Sequence, residues 1–304
     1  MRVLVTGSSG HLGEALVRAL ASQGAEVVGL DVLDADTTDV VGTIIDHPLV
    51  RECVSGVDAV IHTATLHKPH MGTHTRQQFV DTNVTGTLTL LEEAIAARVG
   101  CFVFTSTTSL YGRANVPPPG QPAAWIDEDI MPIPTNIYGA TKRAAEDLCE
   151  LFHADHRLPC VILRTSRFFP ELDDDPKISG AYADANIKVN ELLNRRVELE
   201  DAVSAHVLAL RRATSIGFGR YVISATTPFG PDDLGELRTD APAVVRRCFP
   251  QCGAIYGALG WKLFPNIERV YVNTRARAEL GWSPRYDFGS ALEQLRANAN
   301  PRSP

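Results

Sequence analysis

The sequence predicts an α/β protein built on a doubly wound parallel sheet, with a small C-terminal lobe appended. Three observations carry that expectation. Short β-branched runs alternate with helical patterns along most of the chain, the order required by a parallel sheet covered on both faces. The first such run, Arg2–Thr6, passes through a glycine-rich turn directly into an amphipathic segment. Finally, 304 residues at 44% hydrophobic composition are ample to bury the core of one large α/β unit.

Taken in order, strands are expected at Arg2–Thr6, Glu26–Leu30, Val40–Ile45, Ala59–Thr63, Cys101–Ser106, Val161–Thr165 and Arg220–Ser224. The helix Leu12–Gln23 follows the first strand and stops at Gly24, a residue suited to a C-terminal cap. Thr75–Arg98 and Tyr138–Asp155 are the longest helical patterns. Between them Asn115–Pro134 is proline-rich and reads as a stiff loop, either a cover for a pocket or plain surface. The sheet domain is expected to span residues 1–165 and to be completed by part of 200–230, leaving 166–200 and 226–304 for the lobe.

A net charge of −7 with no basic stripe argues against nucleic acid and anionic membranes as partners and favours a small molecule. No apolar run reaches the length of a membrane span, and a strand is expected from Arg2 onward, so the expected location is cytoplasmic. The six cysteines are scattered in mostly apolar surroundings and read as free thiols. Cys248 and Cys252 are close, yet no histidine or further cysteine joins them. His62, His67, His70 and His74 cluster without acidic or cysteine partners, so no metal is expected there either. His67 or Lys68 is read instead as lining the mouth of a site.

Gly7, Gly10 and Gly13 give the spacing G-x-x-G-x-x-G between a strand and a helix. A dinucleotide site needs such a turn: one glycine for the sharp bend, one where backbone approaches a pyrophosphate, one for close helix packing. An ordinary strand-to-helix turn shows the same glycines. Asp31 ends the second strand, where a carboxylate accepts hydrogen bonds from both ribose hydroxyls and repels a 2′-phosphate; no arginine follows. That favours NAD over NADP, against the simpler reading of a turn aspartate. Thr107-Thr108-Ser109-Leu110-Tyr111-Gly112 places hydroxyls at the carboxyl end of a central strand. Tyr138 and Lys142 stand at i and i+4 on one helix face, where the ammonium is expected to draw the phenol pKa down toward working pH. A surface pair on an amphipathic helix has the same spacing.

In combination these motifs resemble those of the extended short-chain dehydrogenase/reductases, the NAD-dependent epimerase/dehydratase family. Further matches are His62-Thr63-Ala64, Asn83-Val84-Thr85-Gly86-Thr87, Ile126-Asp127-Glu128-Asp129 and the tail Ala278-Glu279-Leu280-Gly281-Trp282-Ser283-Pro284, so that the resemblance spans nearly the whole chain. It implies a Rossmann-type fold with NAD as cofactor. Tyr138 then resembles the catalytic acid/base, Lys142 the lysine that also contacts the nicotinamide ribose, and Thr107 the hydroxyl that hydrogen-bonds the reacting oxygen. Gly7, Ser9, Gly10, His11, Leu12, Gly13, Asp31, Thr43, Ile44, Thr63, Ala64, Asn83, Tyr138, Lys142 and Thr165 fall at positions that bind the cofactor. His67, Thr108, Arg167 and Asn186 fall near the substrate, which the resemblance implies is a sugar or sugar nucleotide.

Departures from the family narrow the chemistry. Thr108-Ser109 stands where dehydratases of the group carry Asp-Glu, which disfavours dehydration, and Thr43 replaces an aspartate that contacts adenine. Arg167 stands where an asparagine is usual; it is read either as a partner for a substrate phosphate or carboxylate, or as an ion pair with Asp173, Asp174 or Asp175. The segment after Arg164 is short for a nucleotide-sugar pocket, and Lys188 reads as part of a solvated helix face. Epimerase, exchanging dehydrogenase or reductase, and non-catalytic NAD sensor remain open, the last having no use for Thr107, Tyr138 and Lys142 together. The resemblance also implies a homodimer through the two long helices.

Overall fold

The computed structural model describes residues 1–170 and 176–297. In chain order its elements are β1 (Arg2–Thr6), α1 (His11–Ser22), β2 (Glu26–Asp31), β3 (Val40–Val41), α2 (His47–Val54), β4 (Ala59–His62), α3 (Arg76–Val80), α4 (Gly86–Ala96), β5 (Cys101–Thr107), β6 (Ala124–Ile126), α5 (Ile137–His156), β7 (Cys160–Thr165), α6 (Pro176–Ala181), α7 (Asp184–Glu191), α8 (Leu199–Ile216), β8 (Phe218–Ile223), α9 (Leu234–Cys248), α10 (Cys252–Leu259), β9 (Arg269–Tyr271) and α11 (Phe288–Arg296).

Seven strands form one sheet in the order β3-β2-β1-β4-β5-β7-β8. The pairs from β3 through β5 are parallel, with Val3 opposite both Val27 and Ala59. Chain order reverses between β1 and β4, and in open sheets of this kind ligands bind beyond the carboxyl ends of the strands at that switch. The strands are near-continuous apolar runs because helices cover both faces. Leu4, Leu30, Val60, Phe102, Phe104 and Ile162 of the sheet pack with Leu90 and Leu91 of α4 and Ala145 and Cys149 of α5.

The chain divides into two compact units. The first comprises Met1–Gly112, Pro132–Arg164 and Ala202–Tyr221, and the second Arg113–Met131, Thr165–Asp201 and Val222–Pro304. Most of the sheet belongs to the first. The second has its own core, in which Val189 and Leu193 meet Leu237, Val244 and Val245 of α9, Cys252 and Tyr256 of α10, and Phe288 and Leu292 of α11. A two-stranded parallel sheet, β6 with β9, pairs Trp125 with Val270 there.

Beyond shifts of a residue or two at element ends, the fold departs from the sequence expectations at four places. Val40–Ile45 is a strand only over Val40–Val41, because Gly42 closes on Leu49 and Ile44 turns into the core against Gly86, where added Cβ atoms would meet Leu49 Cδ2 at 2.2 Å and Ile44 Cδ1 at 2.5 Å. Thr75–Arg98 is not one regular helix: a π-helical turn, Asp81–Thr85, separates α3 from α4. Residues 113–131, expected with the sheet domain, belong to the second unit, since Ala123 and Ala124 bond to Leu234 and Glu268. Lys188 is not solvated: its Nζ lies 2.8 Å from Asp184 and donates to the Pro170 carbonyl at 2.9 Å. The Asp173–Asp175 partners considered for Arg167 lie outside the described residues. No helix among the described residues is long and apolar enough to cross a membrane.

Candidate active site

The glycine turn owes its form to two close approaches. Gly7 has φ +73°, and a Cβ there would lie 2.6 Å from the Ala64 amide nitrogen, so the end of β4 crosses directly over it. A Cβ on Gly13 would lie 1.9 Å from the Gly7 carbonyl oxygen, so only glycine lets α1 begin this near the turn. Gly10 caps α1 without a side chain, and the one atom near its missing Cβ is the Gly7 oxygen at 3.2 Å. Backbone N–H groups of a first helical turn are available to an anion under these conditions. Asp31 reaches back to the same turn: its carboxylate accepts from the Ser9 N–H at 3.1 Å and the Leu33 N–H at 3.0 Å. An uncrowded helix start with a carboxylate beside it fits a dinucleotide, and Gly7, Ser9, Gly10, Leu12, Gly13 and Asp31 are the residues that would hold it. Ile44 is 5% exposed within the apolar core, and Thr63 donates to the Thr6 carbonyl at 2.8 Å.

The side chain of Asn83 is held within the scaffold. In the π-helical turn its carboxamide oxygen accepts from Leu66 N–H at 2.8 Å and Thr65 Oγ1 at 3.0 Å, while its amide donates to the Leu66 carbonyl at 2.9 Å and to Thr141 Oγ1 at 3.0 Å. These bonds fill the donor and acceptor capacity of the group. Asn83 therefore pins the loop after β4 to α5.

His62, at the end of β4, completes that scaffold. Thr87 donates to the Asn83 carbonyl at 2.8 Å and thus accepts from His62 Nε2 at 3.0 Å, leaving Nδ1 to accept from Thr6 Oγ1 at 2.7 Å. Burial, reinforced by Lys142, holds the imidazole well below its usual pKa, so it is neutral with its proton on Nε2. His67, His70 and His74 stack edge to face on the following loop, and His70 Nδ1 accepts the His67 N–H at 3.0 Å.

Thr107 ends β5, and its Oγ1 accepts the Ser109 N–H at 3.1 Å, opening a tight turn over Thr108–Tyr111. Asn136 caps α5 by accepting the Gly139 N–H at 2.9 Å, which starts the helix so that Tyr138 and Lys142 both face inward, 7% and 1% exposed. Thr107 stands near enough to Tyr138 to favour its phenolate form. The electrostatics differ from the expectation of a phenol acidified by the ammonium. Burial pushes Tyr138 up to about 12, with Thr107 pulling it down. Burial brings Lys142 down to about 7 against the opposing pull of Cys149 and Glu146. The Lys142 Nζ rests 3.9 Å from the centroid of the Phe104 ring. Both shifts have one cause: in this enclosed place water solvates neither phenolate nor ammonium.

Sequence reasoning missed the buried group beneath these residues, Ser106, Tyr111, Glu146 and Arg164; Glu146, two turns beyond Tyr138 on the same helix face, was the available signal. The second unit holds a cluster centred on Glu191 that sequence reasoning also missed. Glu191, with 0% of its side chain exposed, is met by Arg196 at 2.8 Å, Arg195 at 2.9 Å and Arg167 at 4.0 Å. Asn186, 2% exposed, accepts the Lys262 N–H at 3.0 Å.

Comparison with known proteins agrees with this architecture. The model of the NAD dependent epimerase/dehydratase family matches residues 3–224. A dTDP-glucose 4,6-dehydratase of Streptomyces niveus is 30% identical, with 96% of this chain and 90% of the relative covered. A UDP-glucose 4-epimerase of Rhizobium meliloti is 32% identical over 96% of this chain and 94% of its own. Among solved structures, a short-chain dehydrogenase/reductase superfamily protein from Agrobacterium tumefaciens with bound NAD superposes with a TM-score of 0.70 at 25% identity, covering 98% of each chain.

Proposed function

The chain belongs to the NAD dependent epimerase/dehydratase family, and from that premise we propose that it is a cytoplasmic, homodimeric epimerase or oxidoreductase acting on a hydroxyl or ketone of a sugar or sugar nucleotide, with NAD held at the glycine turn and Asp31. The observation that carries the reading is the enclosed Tyr138 with Thr107 beside it and Lys142 one helical turn away, in the unit that also holds the glycine turn. Bound NAD supplies the hydride acceptor and, as NADH, the donor. Tyr138 Oη takes the proton of the substrate hydroxyl and later returns it. Thr107 Oγ1 steadies the same oxygen as charge develops on it. Burial favours the neutral phenol of Tyr138, the form that gives its proton to a ketone oxygen as hydride arrives; the reverse transfer needs the phenolate, which an ammonium at Lys142 would favour.

Between the activities of its relatives, the side chains after Thr107 favour redox chemistry without elimination. Loss of water needs a proton donor and a base at adjacent carbons. Thr108 and Ser109 carry hydroxyls there rather than carboxyls. For an epimerase, oxidation and reduction occur in one binding event and NAD is retained. For a dehydrogenase or reductase of a smaller carbonyl compound, it exchanges each turn. Denaturing the purified protein and identifying any released nucleotide by mass, redox state and stoichiometry tests both. Near-stoichiometric NAD is the expected outcome. An empty site that binds added NAD selects the exchanging enzyme, and one that binds none overturns the proposal. Sedimentation showing only monomer would remove the dimer.

A further inference from the structure

Glu146 follows Lys142 by one turn of α5 and is 2% exposed. Ser106 Oγ donates to its Oε1 at 2.5 Å. Arg164 grips the carboxylate through Nε at 3.1 Å to Oε1 and 3.2 Å to Oε2, and through Nη2 at 2.8 Å to Oε2, while its Nη1 donates to Tyr111 Oη at 3.0 Å. Arg220 Nε approaches Oε2 to 3.5 Å and its Nη2 bonds Glu150 at 2.6 Å. One carboxylate thus joins α5 to the strand that carries Thr107, to the turn that Thr107 caps, and to β7 and β8.

Lys142 sees the following groups: neutral His62 from β4, the Phe104 ring from β5, and Tyr138, Glu146 and Cys149 from its own helix. Arg164 and Arg220 stand behind Glu146 and offset part of its field. Cys149 and the Glu146 carboxylate both oppose the effect of burial on the ammonium, and of the two Glu146 is the one held in place by an ion network. We propose that Glu146 is a positioning residue of the site, one whose fixed negative charge keeps Lys142 in its ammonium form. This rests on the reading of Lys142 as part of the active site. The ion network gives the charge a fixed place, and the field of that charge acts on Lys142 through a dry interior where screening is weak.

The chain has five lysines, so NMR of the full protein with isotope-labelled lysine Cε gives a tractable spectrum in which Lys142→Met identifies the signal. Ligand-free protein is titrated, which separates this test from the nucleotide-release experiment. In Glu146→Gln, which keeps shape and an acceptor for Ser106 but removes the charge, the Lys142 midpoint is expected to fall by about one pH unit or more. In Arg220→Gln, which uncovers the Glu146 charge, it is expected to rise. Ser106→Ala loosens the network with the charge in place and is expected to leave the midpoint where it is. An unmoved midpoint in folded Glu146→Gln, or an equal drop in Ser106→Ala, overturns the proposal. If Glu146→Gln does not fold, Arg220→Gln decides: a rise supports the proposal, and no rise overturns it.

Discussion

In the first unit the buried polar side chains stand at the ends of parallel strands and bond to partners one strand or one helix away: Thr6 to His62, His62 to Thr87, Asn83 to Thr141. The charged group of the first unit, Glu146 with Arg164 and Arg220, lies beneath Lys142, whereas the charged knot of the second is closed at Glu191 largely by residues near it in sequence. Arg167 and Arg196 meet at Glu191, and Asp201 accepts the backbone N–H groups of Arg285 at 2.8 Å and Tyr286 at 2.9 Å. The first arrangement leaves functional groups, Tyr138 and the glycine turn, to chemistry. The second occupies its charges with one another, and its stability depends on keeping them paired.

That difference is sharpened most by Tyr138→Phe, which is expected to cut turnover roughly 100-fold or more while leaving NAD release on denaturation unchanged. Comparable turnover in the variant would remove Tyr138 from the chemistry. Glu191→Gln is expected to do the opposite: by stranding Arg196 in the second unit it should cost ~3–5 kcal/mol in denaturant unfolding, while folded protein still retains NAD. A loss within ±0.5 kcal/mol would show that the knot is not a stabilising device.

A third expectation concerns pH. His206 in the first unit is fully buried, donates from Nδ1 to the Ala202 carbonyl at 2.7 Å and accepts from Thr105 at 2.8 Å, and burial brings its pKa from 6.5 down to about 4. Because the unfolded chain binds this proton more readily, the contribution is complete above pH 6.5 and is lost progressively as pH falls toward 4, amounting to ~3 kcal/mol. His62 acts in the same direction. Melting temperature against pH should fall over this window, and His206→Asn should flatten the fall; an unchanged slope would exclude His206 as its source. The smallest effect is expected from Asp31→Asn, which should narrow the preference for NAD over NADP by about tenfold, ~1.4 kcal/mol, in paired dissociation constants. No change there would mean that Asp31 serves only the turn through Ser9 and Leu33.

The fold was legible because its signals are local. Buried parallel strands are apolar throughout, α1 repeats leucine at Leu12, Leu16 and Leu20, and glycine punctuates the turn. Motif spacing likewise brought Thr107, Tyr138 and Lys142 to one unit. The four side-chain bonds of Asn83 were not legible, because their partners on the loop after β4 and on α5 meet it only in the folded chain. Val40–Ile45 was overextended because Ile44 is as apolar in a turn as in a strand. Lys188 was placed in solvent because its partners Asp184 and Pro170 become visible only when the chain closes around them.

By itself, then, the sequence determined the alternation of strands and helices, the glycine turn, the acidic strand end, and the order of the hydroxyl, phenol and amine, since each depends on periodicity or on neighbours within a few residues. Tertiary structure alone decided which polar groups have their partners already, and what charge each buried group carries. Tyr138 and Lys142 carry their proximity in their spacing, but their opposite shifts, to about 12 and about 7, come from exclusion of water by side chains on other elements. Desolvation is a property of the whole surrounding shell, and no short stretch of sequence encodes it.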